Sequence, residues 1–426
     1  MEDYRMELTR EERDILAGSS GPVVQKVLRS VVLYGEAFDA TRLIPISGRP
    51  HLAMSFGASI LKSYYGLLDA LIDESLETLR PFTTNPRTYD PHTTPSSFFE
   101  NLLFRYIYGA QKNLERQLDS LGLIDSRSYS CTSYLPEVGN TPSFGDILAW
   151  SESSAVVFVN SVIGARTNRN STGIDILMNI INRAPLFGLL NDDGRRADWL
   201  VEIKTDTLPN PQLLGSAVGM KVMEDVPYIG GLEALLKGKS DAFIRDYLKD
   251  FGAATASNGA VGLFHIEHIT PEAKTHGDSL LRLNHHTYVI TDEELSRIRN
   301  GYKILWKRPD LKPKRCFIGC PHLSLEQVAD WAAAITQRLD SIGKTRVSMP
   351  VVLTAAPEIM RIFREKNETA SRLERAGVYL SSVCPVAFMS NPISSKIPVI
   401  TNSNKLRTYT TARFYPDDET LAMICG

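Results

Sequence analysis

Cysteine and excess charge are both scarce in this chain. Its 426 residues include five cysteines, and the formal net charge is −2. An odd number of widely separated cysteines is a poor disulfide framework, so we expect free thiols or metal ligands. A nearly neutral chain has no general electrostatic attraction for nucleic acid or for an anionic membrane. We therefore expect neither as a partner.

Long apolar runs are missing as well. Runs such as 155–163 fall well short of the roughly 20 apolar residues that span a bilayer. The first 14 residues, MEDYRMELTREERD, are charged and contain no apolar signal core. We expect an intracellular, cytoplasmic protein.

Length and composition indicate several ordinary globular domains. Hydrophobic residues make up 43% of the chain and charged residues 23%, as in typical soluble proteins. A chain this long should divide into two or three domains. Predicted helices and strands alternate, which favours the α/β class. We predict an N-terminal domain over 1–125, a central domain over 126–300 and a C-terminal domain over 301–426.

The first half of the chain contains several predicted elements. They are a helix capped by Thr9 and Glu12 and running to about residue 16, a strand over 42–46, a long helix over 56–79, and a buried helix over 153–163 closed by Gly164.

The last third predicts a parallel sheet. Its expected strands are 315–318, 350–355, 378–383 and 397–400, with a turn over 319–322, a helix capped by Ser324 and Gln327 and running to about residue 342, and a helix over 358–376. Strands separated by single helices pair in parallel. Ligands of such sheets bind beyond the carboxyl ends of the strands.

Three cysteines fall at such strand ends. Cys320 and Cys384 follow predicted strands of this sheet, and Cys131 follows a possible strand over 127–129. If these thiols converge, they suit an iron–sulfur cluster in which one iron lacks a cysteine. That iron could act as a Lewis acid on a substrate hydroxyl. A Cys₃ zinc site and three unconnected buried thiols are the alternatives.

The densest polar segment is 151–170. Two arginines, Arg166 and Arg169, enclose Thr167 and Asn168 at its end. This grouping is typical of a clamp for carboxylate or phosphate. A surface cluster of salt bridges is the alternative interpretation.

These segments together resemble the signature of the aconitase X family. The matching motifs are CTSYL at 131–135, AWSESSAV at 149–156, GARTNR at 164–169, TPEA at 270–273, GCPH at 319–322, Cys384, and TNSNK at 401–405 with Tyr409. The resemblance runs from about residue 6 to about residue 413, nearly the whole chain.

The resemblance implies an iron–sulfur hydro-lyase with the aconitase-like fold, in which several α/β domains with mainly parallel sheets surround a cleft. Cys131, Cys320 and Cys384 would hold a [4Fe–4S] or [2Fe–2S] cluster. Cys316 and Cys425 have no counterpart in the family and are interpreted as buried core thiols.

The same resemblance implies the remaining site residues. The catalytic candidates are Glu152, Ser153, Ser154 and His322. The candidates for binding substrate are Arg166, Thr167, Asn168, Arg169, Ser403 and Lys405.

Aconitase-like enzymes close their cleft with a small swivelling domain that carries a serine base. The sequence ends at Gly426, soon after the last motif, so we expect a separate small subunit. A truncated or degenerate family member is the alternative.

The family implies two substrates. We favour cis-3-hydroxy-L-proline, which would give pyrroline-2-carboxylate, because no glycine-rich phosphate loop is present and a carboxylate explains the arginine pair. The alternative substrate is (R)-5-phosphomevalonate. A non-catalytic, aconitase-like binding protein is the alternative of another class.

Overall fold

The computed structural model describes residues 4–54, 57–366 and 368–426. Its elements fall into three consecutive regions with mainly parallel sheets, as expected for the aconitase-like α/β fold. Within the described ranges, no helix is long and apolar enough to cross a membrane. The division at residues 125 and 300 stays a proposal.

The first region is mainly helical. Its elements are α1 (Arg10–Leu16), α2 (Pro22–Ala37), β1 (Leu43–Pro45), β2 (His51–Leu52), α3 (Lys62–Asp73), β3 (Thr83–Thr84), α4 (Phe98–Ile107), α5 (Gln111–Ser120), α6 (Ser153–Phe158), α7 (Ile174–Ile180) and β4 (Arg183–Pro185). Strand β1 pairs with β4 in antiparallel orientation, and β2 pairs with β3 in parallel. The buried stripe of α2, which includes Val27, Val31 and Val32, packs into the core of this region.

The second region is a parallel sheet in the order β7-β6-β5-β8. Its elements are β5 (Ala197–Lys204), α8 (Pro211–Val222), β6 (Pro227–Gly230), α9 (Leu232–Leu236), α10 (Asp241–Asn258), β7 (His265–Ile266), α11 (Pro271–His276), β8 (Leu281–Thr291) and α12 (Asp292–Asn300). Helix α10 packs against both α6 and α8. The close approach to α8 requires glycine, because a Cβ on Gly215 would lie 2.3 Å from the carbonyl oxygen of Phe251.

The third region is a parallel sheet in the order β11-β10-β9-β12-β13. Its elements are β9 (Arg315–Leu323), α13 (Leu325–Ser341), β10 (Val351–Ala355), α14 (Pro357–Lys366), α15 (Thr369–Ala376), β11 (Val378–Ser381), α16 (Pro385–Met389), β12 (Val399–Thr401), α17 (Asn404–Tyr409), β13 (Arg413–Phe414) and α18 (Asp417–Cys425). Short helical segments complete the fold at Val159–Ile163, Gly188–Leu190, Asp193–Arg195, Gly277–Leu280 and Ser394–Lys396.

Local signals predicted several elements correctly. The capping boxes of α1 and α13 both form, with Thr9 bonded to Glu12 and Ser324 bonded to Gln327. The parallel pairing of the last sheet is confirmed. The buried helix after Glu152 is α6, which continues as a π-helical turn over Val159–Ile163 and ends at Gly164.

The predicted helix over 56–79 is much too long. Helix α3 covers only Lys62–Asp73, and residue 56 lies outside the described residues. Before the helix, the amide of Ser59 bonds to the carbonyl of Ile107. After it, Ser75 has a φ of +56°, and the amide of Thr78 bonds to the carbonyl of Leu121. These tertiary contacts stop a pattern that the local sequence would continue.

Three further predictions also need correction. In place of the single helix predicted over 358–376 there are two, α14 and α15. Residue 367 lies outside the described residues. The possible strand over 127–129 is one isolated bridge between Thr84 and Tyr129. The expected turn over 319–322 continues β9, which bends at Gly319 (φ +103°) where its register against β10 shifts.

Candidate active site

A cavity of about 240 Å³ lies where the third sheet meets the first region. Its lining includes seven predicted site residues, Cys131, Glu152, Ser153, Cys320, His322, Cys384 and Lys405, together with Asn85, Pro86, Gly319, Pro385, Val386 and Tyr409. A wider groove of about 780 Å³ along α1 contains none of the predicted site residues. The structure thus brings the three predicted ligand cysteines to one place.

The three cysteines reach the cavity from different elements. Cys320 belongs to β9, Cys384 caps the N-terminus of α16, and Cys131 lies in the loop after the Thr84–Tyr129 bridge. Burial raises the pKa of all three thiols, that of Cys131 to about 12. Thiolates in this cavity therefore require nearby positive charge and N–H donors.

Such donors are present. The backbone N–H of His322 donates to the Sγ of Cys131 over 3.3 Å, and that of Ala387 donates to the Sγ of Cys384 over 3.5 Å. The positive charge comes from Lys405, whose ammonium lowers the pKa of each of the three thiols.

His322 connects strand β9, which also carries Cys320, to the segments that carry the other two cysteines. Besides its amide bond to Cys131, its Nε2 lies 3.2 Å from the carbonyl of Val383, next to Cys384. Its Nδ1 lies 3.3 Å from the hydroxyl of Ser130. The carbonyl can only accept, so Nε2 carries the hydrogen and Nδ1 accepts from the serine. Burial lowers the pKa of His322 to about 4, which keeps the ring neutral.

A buried ion pair lies at the cavity wall. The ammonium of Lys405 is 2.6 Å from Oε1 of Glu152 and 3.0 Å from the hydroxyl of Ser154. The other carboxylate oxygen of Glu152 accepts from the Ser154 hydroxyl and the Ala155 amide, both at 2.7 Å, because Glu152 caps α6.

Both members of this pair are charged. Burial raises the pKa of Glu152, but Lys405 outweighs that effect, so the pKa lies below its ordinary value. Burial lowers the pKa of Lys405, but the attraction of Glu152 outweighs it, so that pKa lies above its ordinary value. The cavity therefore holds one fixed, anchored ammonium group.

Ser403 and Ser154 support this arrangement from behind the cavity wall. Ser403 caps α17, accepts a hydrogen bond from the amide of Leu406 over 3.2 Å, and donates to the carbonyl of Cys320. It therefore joins the helix that carries Lys405 to the strand that carries Cys320. Neither serine is among the residues that line the cavity.

The predicted arginine clamp does not line the cavity. Thr167 accepts from the Trp150 amide over 3.0 Å, and the side chain of Asn168 bonds to the backbone of residues 187 and 189. Arg166 pairs with Asp192 at 2.6 Å. These three side chains are engaged within the protein.

Arg166 also approaches a closed network of charges. Its guanidinium lies 3.7 Å from Glu272, which forms a bidentate pair with the buried Arg195 at 2.7 and 2.9 Å. Arg195 further donates to the carbonyl of Asn160 over 3.0 Å. The network joins the first and second regions.

Arg169 differs from its neighbours. It is exposed, and its Nη1 donates to the carbonyl of Ala256 in α10 over 3.2 Å. Among the described residues it has no carboxylate partner. Helix α10 packs against α17, which carries Lys405 and Tyr409.

The two remaining cysteines are core residues. Cys316 and Cys425 are fully buried in the apolar cluster of the third region, away from the cavity. Sequence reasoning did not assign a site role to Asn85 or Tyr409, which line the cavity. Tyr409 accompanies the last family motif, which was the available signal, and Asn85 directly follows β3.

No group of three or more His, Cys, Asp or Glu side chains in the described part of the chain is arranged to hold a metal ion directly. An iron–sulfur cluster places its cysteines around a body larger than one ion, since the thiolates bind different iron atoms of the cluster. Three thiols around one cavity, with two N–H···S bonds, fit such a group.

The chain resembles known proteins over nearly its whole length. Models of the aconitase X first, second and third domains match residues 5–193, 197–300 and 314–416. The chain belongs to the aconitase X family. A crystal structure of aconitase X from Thermococcus kodakaraensis in its holo-form superposes with a TM-score of 0.79 at 28% identity, covering 98% of this chain and 100% of that chain.

Curated relatives of this family member are dehydratases. The phosphomevalonate dehydratase large subunit of Thermococcus kodakarensis is 30% identical over 95% of both chains. The cis-3-hydroxy-L-proline dehydratase of Hypocrea jecorina is 26% identical over 96% of this chain and 67% of its own length. The chain is thus an enzyme of the hydro-lyase class, as its motifs predicted.

Proposed function

We propose that this chain is the large subunit of an iron–sulfur dehydratase for (R)-5-phosphomevalonate. The observation that carries the proposal is the end-to-end match with phosphomevalonate dehydratase large subunits, which extends over 95% of both chains. The chain spans only 67% and 58% of the two hydroxyproline dehydratase relatives. These relatives reverse the preference for hydroxyproline drawn from the motifs.

Cys131, Cys320 and Cys384 would hold the cluster. When bound, an iron that lacks a cysteine ligand supplies Lewis acidity at the hydroxyl and carboxylate of a hydroxy acid. His322 joins the three segments that carry the cysteines, and both of its ring nitrogens are engaged. This favours a positioning role for His322 over proton transfer.

Lys405 would bind a negatively charged substrate group. Its ammonium lines the cavity and stays charged because Glu152 accompanies it at 2.6 Å. Both oxygens of Glu152 already accept hydrogen bonds, so Glu152 orients the lysine and does not act as the base. Ser153 lines the same cavity and would contact the substrate directly.

A small subunit would supply the base. Dehydration removes a proton from the carbon next to the carboxylate, which needs a positioned base in a site closed to water. Among the described residues, the one carboxylate and the one imidazole that line the cavity, those of Glu152 and His322, are committed to internal hydrogen bonds. The relatives named large subunits support a second chain that closes the cavity.

Arg169 is the proposed contact for the phosphate or carboxylate of the substrate. Arg166, Thr167 and Asn168 are engaged inside the protein and would support the loop that presents it. Arg169 is exposed, and within the described ranges its guanidinium bonds only to Ala256, through one nitrogen, so its other donors would bind an anion.

Metal analysis with activity assays tests this proposal. We expect iron and acid-labile sulfide in anaerobically purified protein, lost in Cys131→Ser, Cys320→Ser and Cys384→Ser and retained in the matched control Cys316→Ser. With its small subunit, the enzyme should prefer phosphomevalonate over cis-3-hydroxy-L-proline by at least about 100-fold in kcat/KM. Absence of iron after reconstitution, or the reverse preference, would contradict the proposal.

A further inference from the structure

Helix α4 presents an apolar face to the solvent. Phe98, Phe99, Leu102 and Tyr106 are between 59% and 81% exposed. They recur at spacings of three and four residues, so they lie on one side of the helix. Apolar residues of an amphipathic helix ordinarily face the core, so this outward face needs an explanation.

The inward face of α4 is fully used. Phe104 is buried and packs against Phe388 of α16, with ring centroids 4.8 Å apart. Glu100 forms a buried ion pair with Arg315 of β9 at 3.0 Å. The helix is therefore anchored in this orientation and cannot roll its outer face inward.

A neighbouring segment extends the exposed surface. The amide of Ser59 bonds to the carbonyl of Ile107 over 2.8 Å, and its hydroxyl donates to the carbonyl of Tyr106 over 3.0 Å. This fixes Ile60, which is 83% exposed, and Leu61 beside the end of α4. We call the six side chains, Ile60, Leu61, Phe98, Phe99, Leu102 and Tyr106, the α4 patch.

The size of the α4 patch is that of a protein interface. Aromatic side chains each contribute up to about 200 Å², so the patch exposes on the order of 700 Å². Apolar patches on monomers seldom exceed a few hundred Å². A stable interface buries about 800 Å² on each partner. The patch alone supplies most of that area.

Helix α4, which carries most of the patch, contacts the wall of the cavity through its opposite face. Tyr108, at the end of α4, donates from its hydroxyl to the carbonyl of Ala387 over 3.1 Å. The amide of the same Ala387 donates to the Sγ of Cys384, and Pro385 and Val386 of that helix line the cavity. Helix α4 itself and the short helix α16 thus lie between the patch and the site.

We infer that the α4 patch is the docking surface for the small subunit that closes the cavity. The inference rests on the proposed function, which requires such a chain. A partner seated on the patch would be anchored two helices away from the cavity, and a further segment of it would have to reach the cavity to bring a base to the substrate. Its complementary face should be apolar and poor in charge, to match these six side chains.

Binding measurements with the small subunit encoded in the same genome test the inference. Phe99→Asp combined with Tyr106→Asp should weaken the complex by at least about 30-fold in sedimentation or calorimetry. Leu283→Asp is the matched control, since Leu283 is 97% exposed on β8 of the second region. It should leave the affinity unchanged. Thermal melting of each variant shows that the fold is retained.

The possible outcomes separate this inference from the proposed function. Normal binding by the double variant would overturn the docking surface, even if the wild-type pair is an active dehydratase. A wild-type chain that binds no small subunit, or that instead forms a dimer with itself which the variant abolishes, would also overturn it. A pair that forms through the patch but dehydrates neither substrate would support the docking surface and contradict the proposed function.

Discussion

Two groups of buried charges can be compared in this molecule. In one, Lys405 and Glu152 form an ion pair that opens onto the cysteine-lined cavity. In the other, Arg195 and Glu272 form a bidentate pair that is enclosed by backbone and by Asn160. Lys405, Glu152 and Glu272 belong to motifs shared with the family, Arg195 does not, and the residue types of the two pairs are alike.

The difference between them lies in their surroundings. The ammonium of Lys405 has a cavity beside it, so a ligand or water can approach. The guanidinium of Arg195 is 1% exposed and has protein acceptors on all three nitrogens. A buried charge serves binding when it faces a cavity and serves architecture when its partners are all internal.

The largest expected effect is on stability, when the enclosed Arg195–Glu272 pair is broken. Arg195→Met should lower the free energy of unfolding by about 3–5 kcal/mol, because it leaves the Glu272 carboxylate buried without its partner. Urea denaturation measures the change. Arg282→Met removes an exposed pair with Asp193 and should cost less than about 1 kcal/mol. Equal costs for the two variants would contradict the comparison.

The second largest expected effect is a loss of stability at acid pH, from a histidine beside the Arg195–Glu272 pair. Burial lowers the pKa of His265, which contacts the Arg195 carbonyl, to about 4. The unfolded chain binds this proton near pH 6.5 and the folded chain does not, so stability falls as the pH drops from about 6.5 to about 4.

The histidine contribution can be isolated with a variant. His265→Gln should remove about 1.4 kcal/mol per pH unit of this loss, or about 3 kcal/mol in total by pH 4. Chemical denaturation at a series of pH values measures it. Parallel pH profiles of the wild type and the variant would show that His265 is already protonated in the folded state.

Substitution in the Lys405–Glu152 pair, which opens onto the cavity, should reduce activity more than stability. Lys405→Met should reduce kcat/KM by about 100-fold, or about 2.7 kcal/mol, because the substrate loses its fixed cation. Its cost in stability should be smaller than that of Arg195→Met, since water can enter the cavity and solvate Glu152. Steady-state kinetics and urea denaturation of the two variants provide the test, and a greater loss of stability for Lys405→Met would refute it.

Substitutions of the two arginines of the GARTNR motif should have different effects on KM. Arg169→Gln should raise KM by about 10-fold, or about 1.4 kcal/mol, since it removes an exposed contact with the substrate anion. Arg166→Gln should leave KM unchanged and lower the melting temperature slightly, because its partners, the exposed Asp192 and the buried Glu272, both belong to the protein itself. An equal rise of KM in both variants would support the two-arginine clamp that the motif predicted and contradict the difference between the arginines.

The smallest expected effect concerns Ser154. Ser154→Ala removes one donor to Glu152 and one acceptor from Lys405, and should cost about 1 kcal/mol in stability. Because the ion pair itself remains, the variant should keep its iron and most of its activity. Iron content and kinetics measured on the same sample distinguish this outcome from loss of the site.

Much of the fold followed from local sequence signals. The capping boxes at Thr9 and Ser324 depend on hydrogen bonds within four residues, so they form wherever the helix forms. The parallel order of the last sheet follows from strands joined by single helices. Because Cys320 and Cys384 lie near the ends of such strands, their meeting at one edge was also predictable.

The bounds of α3 and the placing of the arginines were not predictable in this way. The continuation of α3 is stopped by contacts with the residues around Ile107 and Leu121, which are distant in sequence. Arg166 and Arg169 are three residues apart in an irregular segment, where spacing does not determine the direction of a side chain. Their directions depend on Asp192 and Ala256, contributed by other segments.

The amino-acid sequence by itself determined the family, the parallel α/β class and which three cysteines are the candidate ligands. These depend on motifs and on the local patterns that predict helices and strands. Only the tertiary structure decided which charged residues face the cavity and that His322 joins the segments carrying the cysteines. It also decided that one apolar side of α4 points outward. Those properties depend on which distant segments pack together and on where that packing leaves a space.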